Sequence, residues 1–381
     1  MSRRRAVLKA VAVLVVFVAA IALALVTGLL GAPSAGIEDV GDWGTVTEER
    51  TEVITTLWVE NPNPIGLSLG DSVAVDYRLQ MNDVELAEGT TQGINVRPGN
   101  NTIEASTSIH NEQLSAWWVA FVENNETIDI RAEPTVRIDG LVSTAADLPS
   151  YETTGLSDST PIVTSFSKVA SGLEGQYTLS DLTSSQRDSL VGSGLLDANG
   201  VLPGSDGSTT VGYEIRRGWA TWGDVAENTT TLRLHFQLHN PSETVPVPAE
   251  PENLGVDIAM NDVEMFSARG ADTSLANPGD FTLRESIDRR VLMPGETTEA
   301  VYAVEMDNDR IDEWFRSHVR QDERTEVRTE LQLVFSVGDF TVDVPEEKPA
   351  GYTCNLQTGI FVDGQETDTT CGEASSLGAT G

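Results

Sequence analysis

Met81-Asn82-Asp83-Val84-Glu85 recurs letter for letter as Met260-Asn261-Asp262-Val263-Glu264, an offset of 179 residues (81 to 260). The same offset carries Trp43-Gly44 onto Trp222-Gly223, Val46 onto Val225, and Asn61-Pro62 onto Asn240-Pro241. An ungapped register held from residue 43 to 85 is the mark of an internal repeat, so the chain contains two copies of one module. Positions that agree between the copies are expected to make the fold. Positions that differ are expected to be surface.

Upstream of the repeated pentapeptide, Val53, Thr55, Leu57 and Val59 alternate with Ile54, Thr56, Trp58 and Glu60; the second copy sets Leu232, Leu234, Phe236 and Leu238 against Arg233, His235, Gln237 and His239. This is the period-two pattern of a half-buried strand. Asn61-Pro62 and Asn240-Pro241 end it, because proline cannot donate to a sheet ladder. A second strand runs through Val75, Tyr77, Leu79 and Met81, matched by Leu254, Val256, Ile258 and Met260. Asn82-Asp83 and Asn261-Asp262 follow it and suit a two-residue hairpin turn, since both residue types tolerate positive φ.

Downstream, Pro98-Gly99 and Pro294-Gly295 mark another turn, now at an offset of 196 (98 to 294), which leaves about seventeen extra residues for a longer loop near 271–284 in copy two. The period then changes. Leu114, Trp117, Trp118 and Phe121, like Ile311, Trp314, Phe315 and His318, fall at the i, i+3, i+4, i+7 spacing of one helical stripe. Asn111 and Asn308 suit N-terminal caps or first-turn positions. The spacing favours burial of both Trp117 and Trp118 in a wide core stripe over contact with a membrane or client. Each copy closes on strand character, 128–138 and 327–344. Residues 141–210 read as a polar linker or insertion, with a helical turn or two within 181–190, and 346–381 as a polar tail.

Arg3, Arg4, Arg5 and Lys9 precede an uncharged run, Ala10 to Leu30, long enough to cross about 30 Å of hydrocarbon as a helix. The basic cluster predicts a cytoplasmic segment 1–9, a transmembrane helix 10–30 and an extracellular remainder in a single-pass cell-membrane protein. A cleaved signal peptide is the alternative, with small residues at Ala32-Pro33-Ser34-Ala35, but the run exceeds the roughly 7–15 residues of a signal core.

The chain carries 24 basic and 59 acidic residues, a net charge of −35 at pH 7, and only three lysines. Such a charge repels itself in dilute solution; in molar salt the Debye length falls to about 3 Å and the penalty fades. A carboxylate-dense, lysine-poor composition resembles the proteins of extremely halophilic archaea. Sequestration of cations is the rival reading. No basic stripe is available for nucleic acid. Cys354 and Cys371 lie together near the end and are compatible with a disulfide outside the cell, without requiring one. Asn100, Asn125 and Asn228 each begin an Asn-Xaa-Thr glycosylation triplet.

A Trp-Gly start, an amphipathic strand ending in Asn61-Pro62-Asn63-Pro64, a Met-Asn-Asp hairpin, a Pro-Gly turn and a Trp-containing helix occur in that order. Together they resemble the type 2 late-embryogenesis-abundant (LEA-2) proteins, also known as the water-stress and hypersensitive-response (WHy) domain. The resemblance covers 36–140 and 211–345. It marks Trp43, Gly44, Asn61, Pro62, Asn82, Pro98, Gly99 and Trp117, then Trp222, Gly223, Asn240, Pro241, Asn261, Pro294, Gly295 and Trp314, as structural motif residues. It implies two tandem immunoglobulin- or fibronectin-like antiparallel β-sandwiches, each with one short helix. It also implies no cofactor and an association with desiccation. In copy two Ser242-Glu243 replaces Asn63-Pro64, so a function carried by that loop need not be shared.

Other candidate sites reduce to blander readings. His235 and His239 share one strand face within reach of one metal ion, yet their register with Thr56 and Glu60 favours a solvent-facing pair. His318 takes the place of Phe121 on the helix stripe and reads as packing. Asp197, Asn199 and Asp206 miss the calcium-loop pattern. Asp83 and Glu85 belong to a turn before they are acid/base catalysts. No phosphate-cradling glycine loop of the P-loop type is present. No catalytic, cofactor or metal residue is therefore expected. The function implied is non-enzymatic stress protection at the membrane, with envelope proteins as clients. The alternative is an adhesion or receptor module using loops 61–69 and 271–284.

Overall fold

The computed structural model describes residues 34–62, 64, 67–68, 73–92, 95–138, 144–147, 151–157, 162–178, 212–243, 247–248, 253–268, 274–275, 291–337, 340–344, 350–357, 362, 365 and 368–372. The expected membrane helix 10–30 lies outside them, as do the 181–190 turn, Asp197, Asn199, Asp206 and most of the 271–284 loop. Among the described residues no helix is long and apolar enough to cross a membrane.

Antiparallel strands dominate, interrupted among the described residues by three short helices: α1 (Leu114–Glu123), α2 (Ile162–Ser171) and α3 (Arg310–Arg320). The mainly β expectation therefore holds. By mutual contact the chain divides into two units, which interleave in sequence. The first takes the chain up to Ser159 with Ile311–Thr325 and Gln357–Asp368; the second takes Thr160–Arg310, Glu326–Leu356 and Thr369 onward.

The first unit is built on β1 (Ser34–Val46), β2 (Arg50–Asn61), β3 (Val73–Met81), β4 (Val84–Gln92), β5 (Gly99–His110), β6 (Thr127–Ile138), β7 (Thr144–Asp147) and β8 (Tyr151–Ser157). Their order is β1-β2-β5-β4-β3-β6-β8, with β7 on β6. Among the described residues Ala87↔Ile109 and Glu88↔Ser108 join β4 to β5, which connects β1-β2-β5 and β4-β3-β6 in one continuous strand order. Val53, Val59, Leu86 and Ala87 are buried from the strands, and Leu114, Trp118, Phe121 and Val122 from α1. The helical stripe expected from the 3.6-residue period thus faces the core; Trp118 is buried and Trp117 half-buried. Trp118 meets Trp314 of α3 edge-on, with ring centroids 6.5 Å apart.

The second unit contains β9 (Gly175–Thr178), β10 (Gly212–Val225), β11 (Thr229–His239), β12 (Asn253–Met260), β13 (Val263–Ala268), β14 (Thr297–Asp307), β15 (Arg324–Val337), β16 (Phe340–Val344), β17 (Ala350–Gln357) and β18 (Asp368–Cys371). One sheet runs β9-β10-β11-β14 and ends on the short strand Ser274–Leu275; the other runs β13-β12-β15-β17-β18, with β16 on β15. Leu232, Leu234, Phe236 and Leu238 on β11 are at most 1 % exposed, as the alternation requires.

The stretch read as linker or insertion does structural duty. Strands β7 and β8 extend the first sheet, and β9 pairs with the start of β10, Tyr177 opposite Tyr213. Just beyond that pairing, α2 takes over the exposed edge of β10. The Ser167 hydroxyl donates to the Ala220 carbonyl (3.1 Å) and accepts the Ala220 N–H (2.9 Å), while Glu174 accepts the Gly218 N–H (3.0 Å). Phe166 is buried edge-on to both Trp222 and Phe266. A strand edge that would template aggregation is thereby covered. The polar tail likewise supplies β17 and β18, which are pinned by a Cys354–Cys371 disulfide with Cα atoms 4.0 Å apart.

Candidate functional site

In each repeat the motif asparagines act as buried or half-buried side-chain latches. In each two-residue hairpin both turn residues have positive φ: 51° and 61° at Asn82 and Asp83, 51° and 65° at Asn261 and Asp262. That is the backbone a right-twisted hairpin needs, and it is why Asn-Asp stands there. The asparagine then does a second job. Asn82 accepts the Asp129 N–H (3.0 Å) and donates to the Thr127 carbonyl (2.8 Å), fastening the hairpin to the strand after α1. Asn261 accepts the Glu326 N–H at 2.8 Å, the equivalent bond in copy two.

The Asn-Pro and Pro-Gly motifs form one device. Asn61 and Asn240 are buried, and their amides donate to the carbonyls of Val96 (3.5 Å) and Leu292 (2.9 Å), two residues before each Pro-Gly turn. Gly99 and Gly295 hold φ of +85° and +76° with open space around them, so glycine is needed for conformation alone. Asn111 opens the first turn before α1, one of the two places open to it. Its side chain accepts the Thr51 hydroxyl (2.9 Å) and donates to the carbonyls of Thr47 and Glu48 (both 3.1 Å). Asn308 repeats this with Thr230 (2.7 Å), Ala226 (2.9 Å) and Glu227 (3.1 Å). Unpaired buried amides are costly, so satisfied ones fix where segments cross.

Trp-Gly marks a bulge. The β1–β2 register slips between Trp43 and Val46, and the β10–β11 register between Trp222 and Val225. The two tryptophans then diverge. Trp222 packs with Phe166 and Phe266, whereas Trp43 donates its indole N–H to Glu323 (2.9 Å) and meets Phe315 edge-on at 6.0 Å. Glu323 is fully buried at a positive φ of 58° and also accepts the Val362 N–H (3.3 Å). Beside it His318, buried on α3, lies 2.8 Å from the Thr325 hydroxyl, which accepts the Trp314 indole N–H (3.0 Å). Burial holds the His318 imidazole down to about 4, against an upward pull from the Glu323 carboxylate and a backbone bond at Arg324. Its role is packing, in keeping with its place on the stripe.

His235 and His239 differ from expectation. His239 is buried and hydrogen-bonded to Thr297 (3.0 Å); His235 is half-buried, stacked on Trp219 at 4.8 Å and bonded to Thr221 and Glu299 (both 2.8 Å). The pair is not solvent-facing. Copy two has aromatic and hydroxyl partners on that face, where copy one presents Thr56 and Glu60. Among the described residues no group of three His, Cys, Asp or Glu side chains could hold a metal ion. Asp83 and Glu85 are exposed, and Asp83 pairs with Arg131 at 3.7 Å. The sequence reading missed α2, although Phe166, Val169, Ala170 and Leu173 repeat the spacing used to find α1.

Among solved structures, a protein from Archaeoglobus fulgidus is similar at 25 % identity, over 33 % of this chain and 98 % of its own, with a TM-score of 0.24. The ycdA protein of Bacillus subtilis is similar at 10 % identity, over 54 % of this chain and 70 % of its own, with a TM-score of 0.18. Likenesses this low carry no weight for fold or function. No curated protein matches the chain. Residues 56–153 match the family model described as late embryogenesis abundant protein, LEA-2, and this supports the LEA-2 family for the segment built on β2 to β8.

Proposed function

We propose that this protein protects envelope components against water stress without performing catalysis. In this reading it displays two LEA-2 (WHy) modules, 36–140 and 211–345, on the outer side of a membrane that its 10–30 segment crosses. The observation that carries the proposal is the LEA-2 match at 56–153. The latches favour it further: Asn61, Asn82, Asn111 and their counterparts Asn240, Asn261 and Asn308 spend their polar atoms inside the scaffold. Chemistry built on the repeated motif would need those atoms for a substrate. The surplus of carboxylates supplies the physical means, since hydrated like charges keep neighbouring macromolecules apart as water is withdrawn. Its clients would be membrane or envelope proteins, met through hydration rather than a fitted pocket. A strain lacking the chain should survive drying and abrupt salt shifts less well than its parent, and the full chain should restore survival. Equal survival would remove the proposal.

A further inference from the structure

One tryptophan of the first unit faces outward. Trp58 on β2 is 38 % exposed; among the described residues only Met293 is also a large exposed hydrophobic side chain. Its neighbours across the sheet are Gly36 on β1, which has no side chain, and Thr102 on β5. Two residues along β5, Asn100 stands opposite Glu60 on the same exposed face. Asn100-Asn101-Thr102 is one of the three glycosylation triplets, and its asparagine stands one diagonal step along the sheet from Trp58, a spacing of about 7–8 Å between residues.

The three triplets differ in geometry. An acceptor must be reached from solvent at both its asparagine and its threonine. On a strand, positions i and i+2 point to one side, and both Asn100 and Thr102 are exposed. The Asn125 triplet is folded into a tight turn, with φ of 53° and 56° at Asn125 and Glu126 and the Glu126 side chain buried. In the Asn228 triplet Thr230 is fully buried, its hydroxyl given to Asn308.

We propose that Asn100 carries an N-linked glycan whose first sugar lies against the Trp58 indole. The inference rests on the outward location proposed above. An oligosaccharyltransferase would supply the sugar from a polyprenyl-phosphate-linked oligosaccharide. The Asn100 amide nitrogen forms a bond to the sugar's C1 and the C1–O bond to phosphate breaks. The phosphate leaves with the electron pair, and the amide loses one proton to solvent. The flat indole then covers the apolar face of the sugar, which removes exposed aromatic surface from water.

The test uses the full chain isolated from membranes of the cells that make it, with mass spectrometry of peptides spanning the three triplets. A glycan mass on the Asn100 peptide is expected, with Asn125 and Asn228 bare; Asn100→Gln and Thr102→Ala should each abolish it. Protease treatment of intact cells fixes the side of the membrane. An outward chain with a bare Asn100 overturns this inference alone, whereas a protected, inward chain overturns it together with the location. Trp58→Ala should keep the glycan and raise its periodate oxidation rate several-fold. An unchanged rate would overturn the indole contact.

Discussion

Gly44 and Gly223 occupy the same place in the two copies but face different neighbours. A Cβ on Gly223 would stand 3.0 Å from the Cβ and Cγ2 of Thr231, a buried side chain; on Gly44 it would meet the Glu52 carboxylate at 2.9 Å and its Cγ at 3.0 Å, on a half-exposed side chain that can swing outward. Gly223→Ala should therefore cost about 1–3 kcal/mol and Gly44→Ala under about 1 kcal/mol, read as midpoint shifts in denaturant. His318 makes a pH prediction. Its folded pKa of about 4 lies below the ordinary 6.5, so the unfolded chain takes up the proton first. Stability is full above pH 6.5, falls as the pH drops toward 4, and the loss approaches about 3 kcal/mol below that. His318→Gln should flatten this portion of the stability profile. An unchanged slope would mean the imidazole is hydrated in the folded state.

At the scale of elements, α2 depends on one glycine. A Cβ at Gly218 would fall 2.1 Å from the Ala170 carbonyl oxygen, which belongs to backbone and cannot swing aside. Gly218→Ala should lift α2 from the β10 edge, bare Phe166 and Trp222, and show as dye binding and concentration-dependent aggregation. Unaltered solution behaviour would show that the edge is not shielded by the helix. The same element shows where sequence reading stopped. Alternation found β2, β11 and β12 because each buries one face more than the other, and the i, i+3, i+4, i+7 stripes found α1 and α3. The stripe of α2 is carried by one phenylalanine and small residues among serines and threonines, so its composition spoke for a linker. The latches were legible only as identities. Asn82 and Asn261 announced a turn, but that their side chains also fasten to Asp129 and Glu326, residues far away in sequence, is a tertiary fact.

For the whole molecule, the interleaving of the two units has a consequence for cooperativity. Residues 311–325 come from the second copy in sequence yet belong by contact to the first unit, where they supply Trp314 to Trp118 and Glu323 to Trp43. Unfolding the second copy draws on the segment that completes the first. Calorimetry in molar KCl should show one cooperative transition; two separated ones would indicate independent modules. The repeat was legible as two like stretches of sequence, while the assignment of 311–325 to the first unit left no trace in periodicity. What the scaffold does for the cell is tested most directly by drying. A labile membrane enzyme would be co-reconstituted with the full chain in vesicles in molar KCl, dried and rehydrated, beside an equal mass of an unrelated acidic membrane-anchored domain. The account predicts clearly higher recovery of enzyme activity with this protein than with the control; equal recovery would contradict it.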